Sequence, residues 1–328
     1  MFAAVLRHLG ESPRCEPFPD PVAAESEVLV HVHAASLKPV DKMLASGSHY
    51  ATPKTPSVCG TDGVGHLSSG QRVFFGGCRP PYGAMAERTV VPAAFTFPIP
   101  AGVSDELAAA LPNPGISAFL ALKSRGKLEP GESVLVLGAT GIAGRLAVTI
   151  AKLLGAARVV AAGRNRQVLD MLRKQGADAT IQLDLSPEEL REAFVREAGG
   201  SGFQVVLDYV WGKPAEAFFS AATRHEFGLI RSETRFVQVG ESAGATISLS
   251  AAVLRSAPVT IMGTAGVPSR EVLVAAFDWV MAHAAEGQLQ VETKSVRLTE
   301  IETAWVQDPG ACRLVVIPST NGDADRKS

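Results

Sequence analysis

The run Val134-Leu-Val-Leu-Gly-Ala-Thr-Gly-Ile-Ala-Gly144, followed by Val159-Val-Ala-Ala-Gly-Arg-Asn165, restricts the fold more than any other part of the chain. Val134–Leu137 is continuously apolar, the pattern of a strand covered by helices on both faces of a parallel sheet. Gly138, Gly141 and Gly144 sit three apart. Glycines there permit a tight turn and let the backbone approach a phosphate with no Cβ in the way. Ala139 stands at the first position of the usual G-x-G-x-x-G spacing. A helix predicted from Ile142 to Leu154 then offers free N–H groups and a positive dipole end to an anion. A second apolar strand, Val159–Ala162, begins after Gly155, as a βαβ unit of about thirty residues requires. The unit reads as a dinucleotide site, with Gly138, Ala139, Thr140, Gly141, Ile142 and Ala143 at the pyrophosphate.

Roughly twenty residues beyond the turn, an NAD site places Asp or Glu to accept hydrogen bonds from the adenosine ribose. That position here is Gly163, with Arg164 and Arg166 beside it. Removing the carboxylate removes repulsion of a 2′-phosphate, and a guanidinium can hold the phosphate with paired hydrogen bonds. The alternative is an arginine solvated at a strand end. The expected cofactor is NADPH, with Gly163, Arg164 and Asn165 at its adenosine end.

A chain of 328 residues suggests two domains. Before about residue 100 the pattern is β-rich, with candidate strands Glu27–His33, Arg72–Phe75 and Glu87–Val91. After Ser104, an N-cap before Asp-Glu-Leu-Ala-Ala-Ala, helices and strands alternate. The predicted strands are Val134–Leu137, Val159–Ala162, Val205–Tyr209, Phe236–Val239 and Val259–Met262, with helices such as Asn165–Gln175 and Pro187–Ala198 between them. Such alternation implies a doubly wound parallel sheet with right-handed crossovers. Ser269–Glu286 reads as a long amphipathic helix and Arg313–Ile317 as a final strand. A net charge of −2 gives no electrostatic reason to expect nucleic acid or an anionic membrane as partner. No run of roughly eighteen apolar residues suggests membrane insertion, and Met1-Phe-Ala-Ala-Val-Leu-Arg7 is charged too soon for a signal peptide. The four cysteines lack paired spacing, as expected of free thiols in a reducing cytoplasm.

The nucleotide motif lies in mid-chain, behind a β-rich module and ahead of a helix–strand return. This arrangement resembles the medium-chain dehydrogenase/reductase superfamily, and within it the zinc-free quinone oxidoreductases related to zeta-crystallin. The segments that carry the resemblance are Ala35-Ser-Leu-Lys-Pro-Val-Asp41, Gly60-Thr-Asp-Gly-Val-Gly65, Pro81-Tyr-Gly-Ala-Met-Ala-Glu87, Gly138–Gly144, Leu207-Asp-Tyr-Val-Trp-Gly212, Phe236-Val-Gln-Val-Gly-Glu241 and Leu249–Arg255. Their order and spacing are more specific than any one of them. The resemblance implies an α/β fold: a doubly wound parallel Rossmann sheet plus a β-rich GroES-like catalytic domain. The domains would be 1–111 with 266–328 for the catalytic part and 112–265 for the NADPH-binding part, with a cleft between them. Relatives commonly pair as homodimers through the Rossmann sheet edge, which would be Val259–Met262 here.

In zinc-dependent members, the catalytic ligands come from Cys-x-x-Asp, Gly-His-Glu and a Cys just before the nucleotide domain. The matching positions here are Lys38, Thr61 and Pro114, none of which is an ordinary zinc ligand. Cys59, His66 and Cys78 are loosely spaced and read as incidental. No metal is expected. Without a Lewis acid the hydride acceptor must already be electrophilic, as quinones and α,β-unsaturated carbonyls are. Such chemistry needs close placement of nicotinamide and acceptor, exclusion of water, and a donor for the developing enolate.

Two side chains are candidate catalytic donors by resemblance. Lys38 either hydrogen-bonds the substrate oxygen or points to solvent. Tyr50 either stacks on or donates to a quinone, or is an ordinary half-buried tyrosine. His49 is a weaker candidate, Tyr82 is expected to pack a loop, and bulk water is the remaining proton source. Asp41 is expected to brace a helix start. Tyr209-Val-Trp-Gly-Lys213 resembles the Tyr-x-x-x-Lys pair of short-chain dehydrogenases, but that pair needs one continuous helix, and Gly212 with Pro214 is expected to break it. Tyr209 would instead border the cofactor. By resemblance, Val239, Gly240 and Glu241, with Thr264, Ala265 and Gly266, would line the nicotinamide half. Arg313 would reach the pyrophosphate, or else form a surface salt bridge. The expectation is an NADPH-dependent, zinc-independent reductase of a quinone or enone. The alternatives are an enoyl or alkenal reductase on one metabolite, or an NADPH-binding protein with little activity, since fold does not fix function.

Overall fold

The computed structural model describes residues 1–223, 233–264, 266, 268–308 and 310–318. The chain forms two compact units, Met1–Asn113 with Arg270–Ser328, and Pro114–Ser269.

The second unit is built on six parallel strands. Across the sheet they run Ala179–Gln182, Arg158–Gly163, Ser133–Leu137, Val205–Asp208, Thr234–Gln238 and Val259–Gly263. The central strands are buried on both faces: Val134, Leu135, Val136 and Leu137 are all fully covered. This explains their unbroken apolar sequence. One face packs on the helices Pro187–Ala198 and Gly212–Thr223 through an aromatic cluster. Phe194 meets Phe218 edge-on at 5.7 Å, and Phe219 lies 4.7 Å from Phe236 of the sheet. Strand order reverses on either side of Ser133–Leu137, so the crevice at its carboxyl end is the topological switch point where such sheets bind ligands.

The strands expected from the sequence form, and Pro187–Ala198 and Arg313–Ile317 have the expected bounds. Ala179–Gln182 is an added edge strand, too short and too polar to stand out in the sequence. Val205–Asp208 ends one residue before Tyr209. The helix Gly212–Thr223 begins only at Gly212, with Pro214 in its first turn, so the expected break after Tyr209 is present and takes the form of a helix start.

The first unit contains a seven-stranded sheet and a three-stranded sheet. The return segment supplies two parallel strands, Thr293–Arg297 and Arg313–Ile317, and the latter pairs antiparallel with Glu27–Ser36. Val30, Val32, Phe75, Trp305, Leu314 and Val316 share its core. The helix Arg270–Ala285 docks through Phe277, whose ring lies 5.6 Å from Phe74 and 5.0 Å from Phe97.

Candidate functional site

The turn after Ser133–Leu137 is tied to the neighbouring strand by a single acceptor. The N–H groups of Gly138 and Ala139 both donate to the Ala162 carbonyl, at 2.9 and 2.8 Å. Gly138 turns with φ +85°. Gly144 packs its Cα against this turn, where an added Cβ would stand 2.2 Å from the Gly138 carbonyl oxygen. Gly141 is the N-cap of the helix Ile142–Leu153 and brings no side chain to satisfy the first turn. A Cβ on Gly141 would meet only the Gly138 oxygen, at 3.6 Å, so the space before this helix is open. Uncapped N–H groups, a helix dipole and an open approach are what a pyrophosphate requires.

Arg158–Gly163 ends against that turn: a Cβ on Gly163 would lie 2.3 Å from Thr140 Cγ2. The Arg164 carbonyl accepts from Gln182 Nε2 at 2.7 Å, which fixes the backbone after the strand. Asn165 caps the helix Arg166–Lys174, its Oδ1 accepting from Val168 N at 3.2 Å. The side chains of Arg164 and Arg166 are exposed on either side of this cap. Gln182 went unread in the sequence because the strand that carries it was not recognised.

At the carboxyl ends of the next two strands, Tyr209 N donates to Leu137 O at 3.0 Å, while Val239 N and Gly240 N donate to Asp208 O at 2.8 and 3.1 Å. A Cβ on Gly138 would meet Tyr209 Cβ at 3.1 Å, and one on Gly240 would meet Tyr209 O at 2.8 Å. Gly138, Tyr209, Val239 and Gly240 therefore share one end of the sheet. Glu241 follows, exposed, and Ala265 lies outside the described residues. Tyr209 precedes the helix that carries Lys213, so the two are not on one helix.

Asp208 is a functional candidate the sequence reading passed over, as one carboxylate closing an apolar strand. It is 0% exposed. Its Oδ1 accepts from Val210 N and Trp211 N, both at 2.9 Å, and its Oδ2 has no partner among the described residues. Burial raises its pKa to about 6 against the pull of those two N–H donors. The Tyr209 hydroxyl is likewise buried without a partner, and burial raises its pKa as well.

In the first unit, Lys38 does not point to solvent. It is 1% exposed. Its Nζ donates to Asp62 Oδ1 at 2.8 Å and to Ser36 O at 3.1 Å, and lies 3.6 Å from Asp41 Oδ2. Burial opposes the ammonium most strongly, yet Asp41 and Asp62 together hold its pKa above the ordinary lysine value. Asp41 braces the helix Pro39–Ser46, accepting from Lys38 N at 2.8 Å, and also takes Thr61 N at 3.1 Å. The sequence positions matched to zinc ligands, Lys38 and Thr61, thus join one buried ionic network. Arg313 belongs to the same neighbourhood and not to the surface: it is 9% exposed, and its Nη1 donates to Leu37 O at 3.1 Å. Tyr50 is not half-buried but 97% exposed, with its ring 4.1 Å from that of His49. Tyr82 packs a loop, edge-on to Phe18 at 6.0 Å. Burial pushes the Cys59 and Cys78 thiols up to about 12, and His66 Nδ1 lies 3.1 Å from His33 Nε2. Among the described residues, no three His, Cys, Asp or Glu side chains gather as metal ligands, and no helix is long and apolar enough to cross a membrane.

These buried charges can be tested through stability. Lys38→Met should lower unfolding free energy by roughly 3–5 kcal/mol, because it strands Asp62 and Asp41 without their cation. Adding Asp62→Asn should recover part of that loss in urea unfolding, and no recovery would refute the pairing. An unfolded aspartate titrates near pH 3.9, so folding binds a proton on Asp208 between about pH 4 and 6. That stability is complete below pH 4 and is lost as the pH rises through 6. Relative to the native chain, Asp208→Asn should therefore gain roughly 2–3 kcal/mol between pH 4 and 7.5. Parallel pH profiles for the two proteins would refute it.

Residues 24–101 match the alcohol dehydrogenase GroES-like domain, and residues 143–282 match the zinc-binding dehydrogenase domain. The quinone oxidoreductase-like protein 2 homolog of Nematostella vectensis is 32% identical over 57% of this chain and 53% of its own length. The chain thus spans about half of that relative. Quinone oxidoreductase-like protein 2 of Bos taurus is 31% identical over 72% of this chain and 67% of its own length. Among solved structures, the quinone oxidoreductase from Thermus thermophilus, studied also in complex with NADPH, superposes with a TM-score of 0.77. It is 26% identical, with 97% of this chain and 100% of that one covered. With both domains matched in order and the Rossmann sheet and β-rich unit in place, the chain belongs to the quinone oxidoreductase family of the medium-chain dehydrogenase/reductase superfamily.

Proposed function

We propose that this chain is an NADPH-dependent, zinc-independent oxidoreductase that transfers hydride to a quinone or an α,β-unsaturated carbonyl. The observation that carries the reading is the end of Arg158–Gly163: a position without a carboxylate and crowded by Thr140, followed by an exposed arginine, beside an uncapped helix start. The names of the bovine and Thermus relatives, and the NADPH complex of the latter, support it.

Gly138, Ala139, Thr140, Gly141, Ile142 and Ala143 would hold the pyrophosphate, and Gly163, Arg164 and Asn165 the phosphorylated adenosine end. Tyr209, Val239, Gly240 and Glu241 would line the nicotinamide half, with Ala265 assigned there by resemblance alone. When bound, NADPH supplies the hydride. Zinc independence rests on the donor set: Lys38 is a protonated ammonium held by two carboxylates, with no lone pair for a metal. An acceptor reduced without a Lewis acid must draw charge from the attacked carbon through its own conjugation.

Protonation of the product falls to Tyr50, whose hydroxyl is accessible, or to water. Lys38 would have to leave Asp62 to take part, and Arg313 would have to leave Leu37 to reach a phosphate. The engagement of Lys38 favours a second reading, an NADPH-binding protein with little turnover. Homodimer formation through Val259–Gly263 fits this strand's place at the end of the sheet, with Val259, Ile261 and Met262 half-buried.

Purified protein should oxidise NADPH in the presence of simple quinones or enones. Tight NADPH binding without turnover across a broad acceptor panel would leave the second reading in place of the first. Arg164→Ala should weaken NADPH by roughly 1–3 kcal/mol and NADH far less; calorimetric titrations giving equal losses would remove Arg164 from the site.

A further inference from the structure

We propose that Thr140, in the glycine turn, is a specificity residue that locks the adenosine end of the site in its NADPH form. The inference rests on the NADPH reading above and concerns how that preference is maintained. A Cβ built on Gly163 meets three atoms of Thr140: Cγ2 at 2.3 Å, Oγ1 at 2.8 Å and Cβ at 3.1 Å. Turning χ1 swings the methyl and hydroxyl groups away but leaves the Cβ–Cβ approach unchanged. Even alanine at position 163 therefore needs one of the two backbones to give by a few tenths of an ångström.

Neither backbone is free to shift. Gly163 is registered against Gln182 in the sheet, and its carbonyl accepts from Leu183 N at 2.9 Å. Thr140 follows two residues whose N–H groups are both fixed on Ala162 O, and Gly141 N closes the turn on Gly138 O at 3.1 Å. The two Cα positions are thus held against each other from both sides. An acidic side chain at position 163 would accept hydrogen bonds from an unphosphorylated ribose and repel a 2′-phosphate. Thr140 denies it the space in which to begin. The preference for a 2′-phosphorylated nucleotide then comes from attraction by Arg164 and from the missing carboxylate at Gly163, and Thr140 keeps position 163 without one.

The test titrates NADPH and NADH calorimetrically into four proteins: wild type, Thr140→Gly, Gly163→Asp and the double variant. Thermal unfolding without nucleotide is measured on the same set, with Gly163→Ala added in both backgrounds. Gly163→Asp alone should weaken both cofactors by about tenfold or more and lower the melting temperature. The double variant should recover NADH affinity but not NADPH affinity, which inverts the preference. Gly163→Ala should depress the melting temperature in the Thr140 background and much less beside Thr140→Gly, so the lock is measured even where the aspartate variant fails to fold. The proposal is overturned if Gly163→Asp alone binds NADH as well as the double variant does. Equal melting shifts for Gly163→Ala in both backgrounds also overturn it. A wild type that does not prefer NADPH would refute the underlying reading, whereas a preference without coupling to Thr140 would refute the lock alone.

Discussion

The Ala162 carbonyl accepts two hydrogen bonds from consecutive N–H groups, those of Gly138 and Ala139. The geometry of the nucleotide end of the sheet hangs on this joint. It welds the turn after one strand to the end of the next, and so sets where the helix Ile142–Leu153 begins. Because the turn cannot move outward, Thr140 lies against Gly163 and Arg164 emerges at the rim. The Gln182 bond to the Arg164 carbonyl holds the far side of the same rim. The proposed pyrophosphate and adenosine contacts thus descend from a few hydrogen bonds between parallel strands, and few side chains need to be specified.

What could be read in the sequence was what local pattern encodes. The central strands announced themselves because burial on both faces demands unbroken apolar residues, and Pro187–Ala198 formed with its expected bounds behind a capping box of Ser186 and Glu189. Ala179–Gln182 escaped because an edge strand of four residues with alternating burial carries little signal. Side-chain environments were less legible wherever the partner is distant in sequence. Lys38 read as solvent-facing or substrate-facing, yet its main partner, Asp62, sits on another strand. Tyr50 read either as a quinone contact or as an ordinary half-buried tyrosine, and its loop leaves it nearly bare. The Thr140–Gly163 contact was invisible for the same reason: each residue is ordinary alone, and only the sheet brings them together.

The first unit handles charge differently from the second. At the carboxyl end of Arg158–Gly163 in the Rossmann sheet, Arg164 and Arg166 stand exposed. In the β-rich unit Lys38 is sealed with Asp41 and Asp62, a costly arrangement unless every member is bonded. Ser36, Thr61 and the Lys38 backbone supply those bonds. The network gives this unit a fixed internal cation, so the local charge is built into the chain itself.

The pairing of Arg313–Ile317 with Glu27–Ser36 carries a consequence for how the protein is made. A ribosome releases Glu27–Ser36 early, and its partner strand only after the whole Rossmann unit has emerged. Until then only the Ala35–Ser36 end of Glu27–Ser36 lacks its partner, since Arg88–Pro92 covers Glu27–His31. The Rossmann unit, continuous in sequence, can complete its sheet meanwhile. The β-rich unit therefore closes its sheet last, through a junction of two residues on a strand whose other pairings are already made.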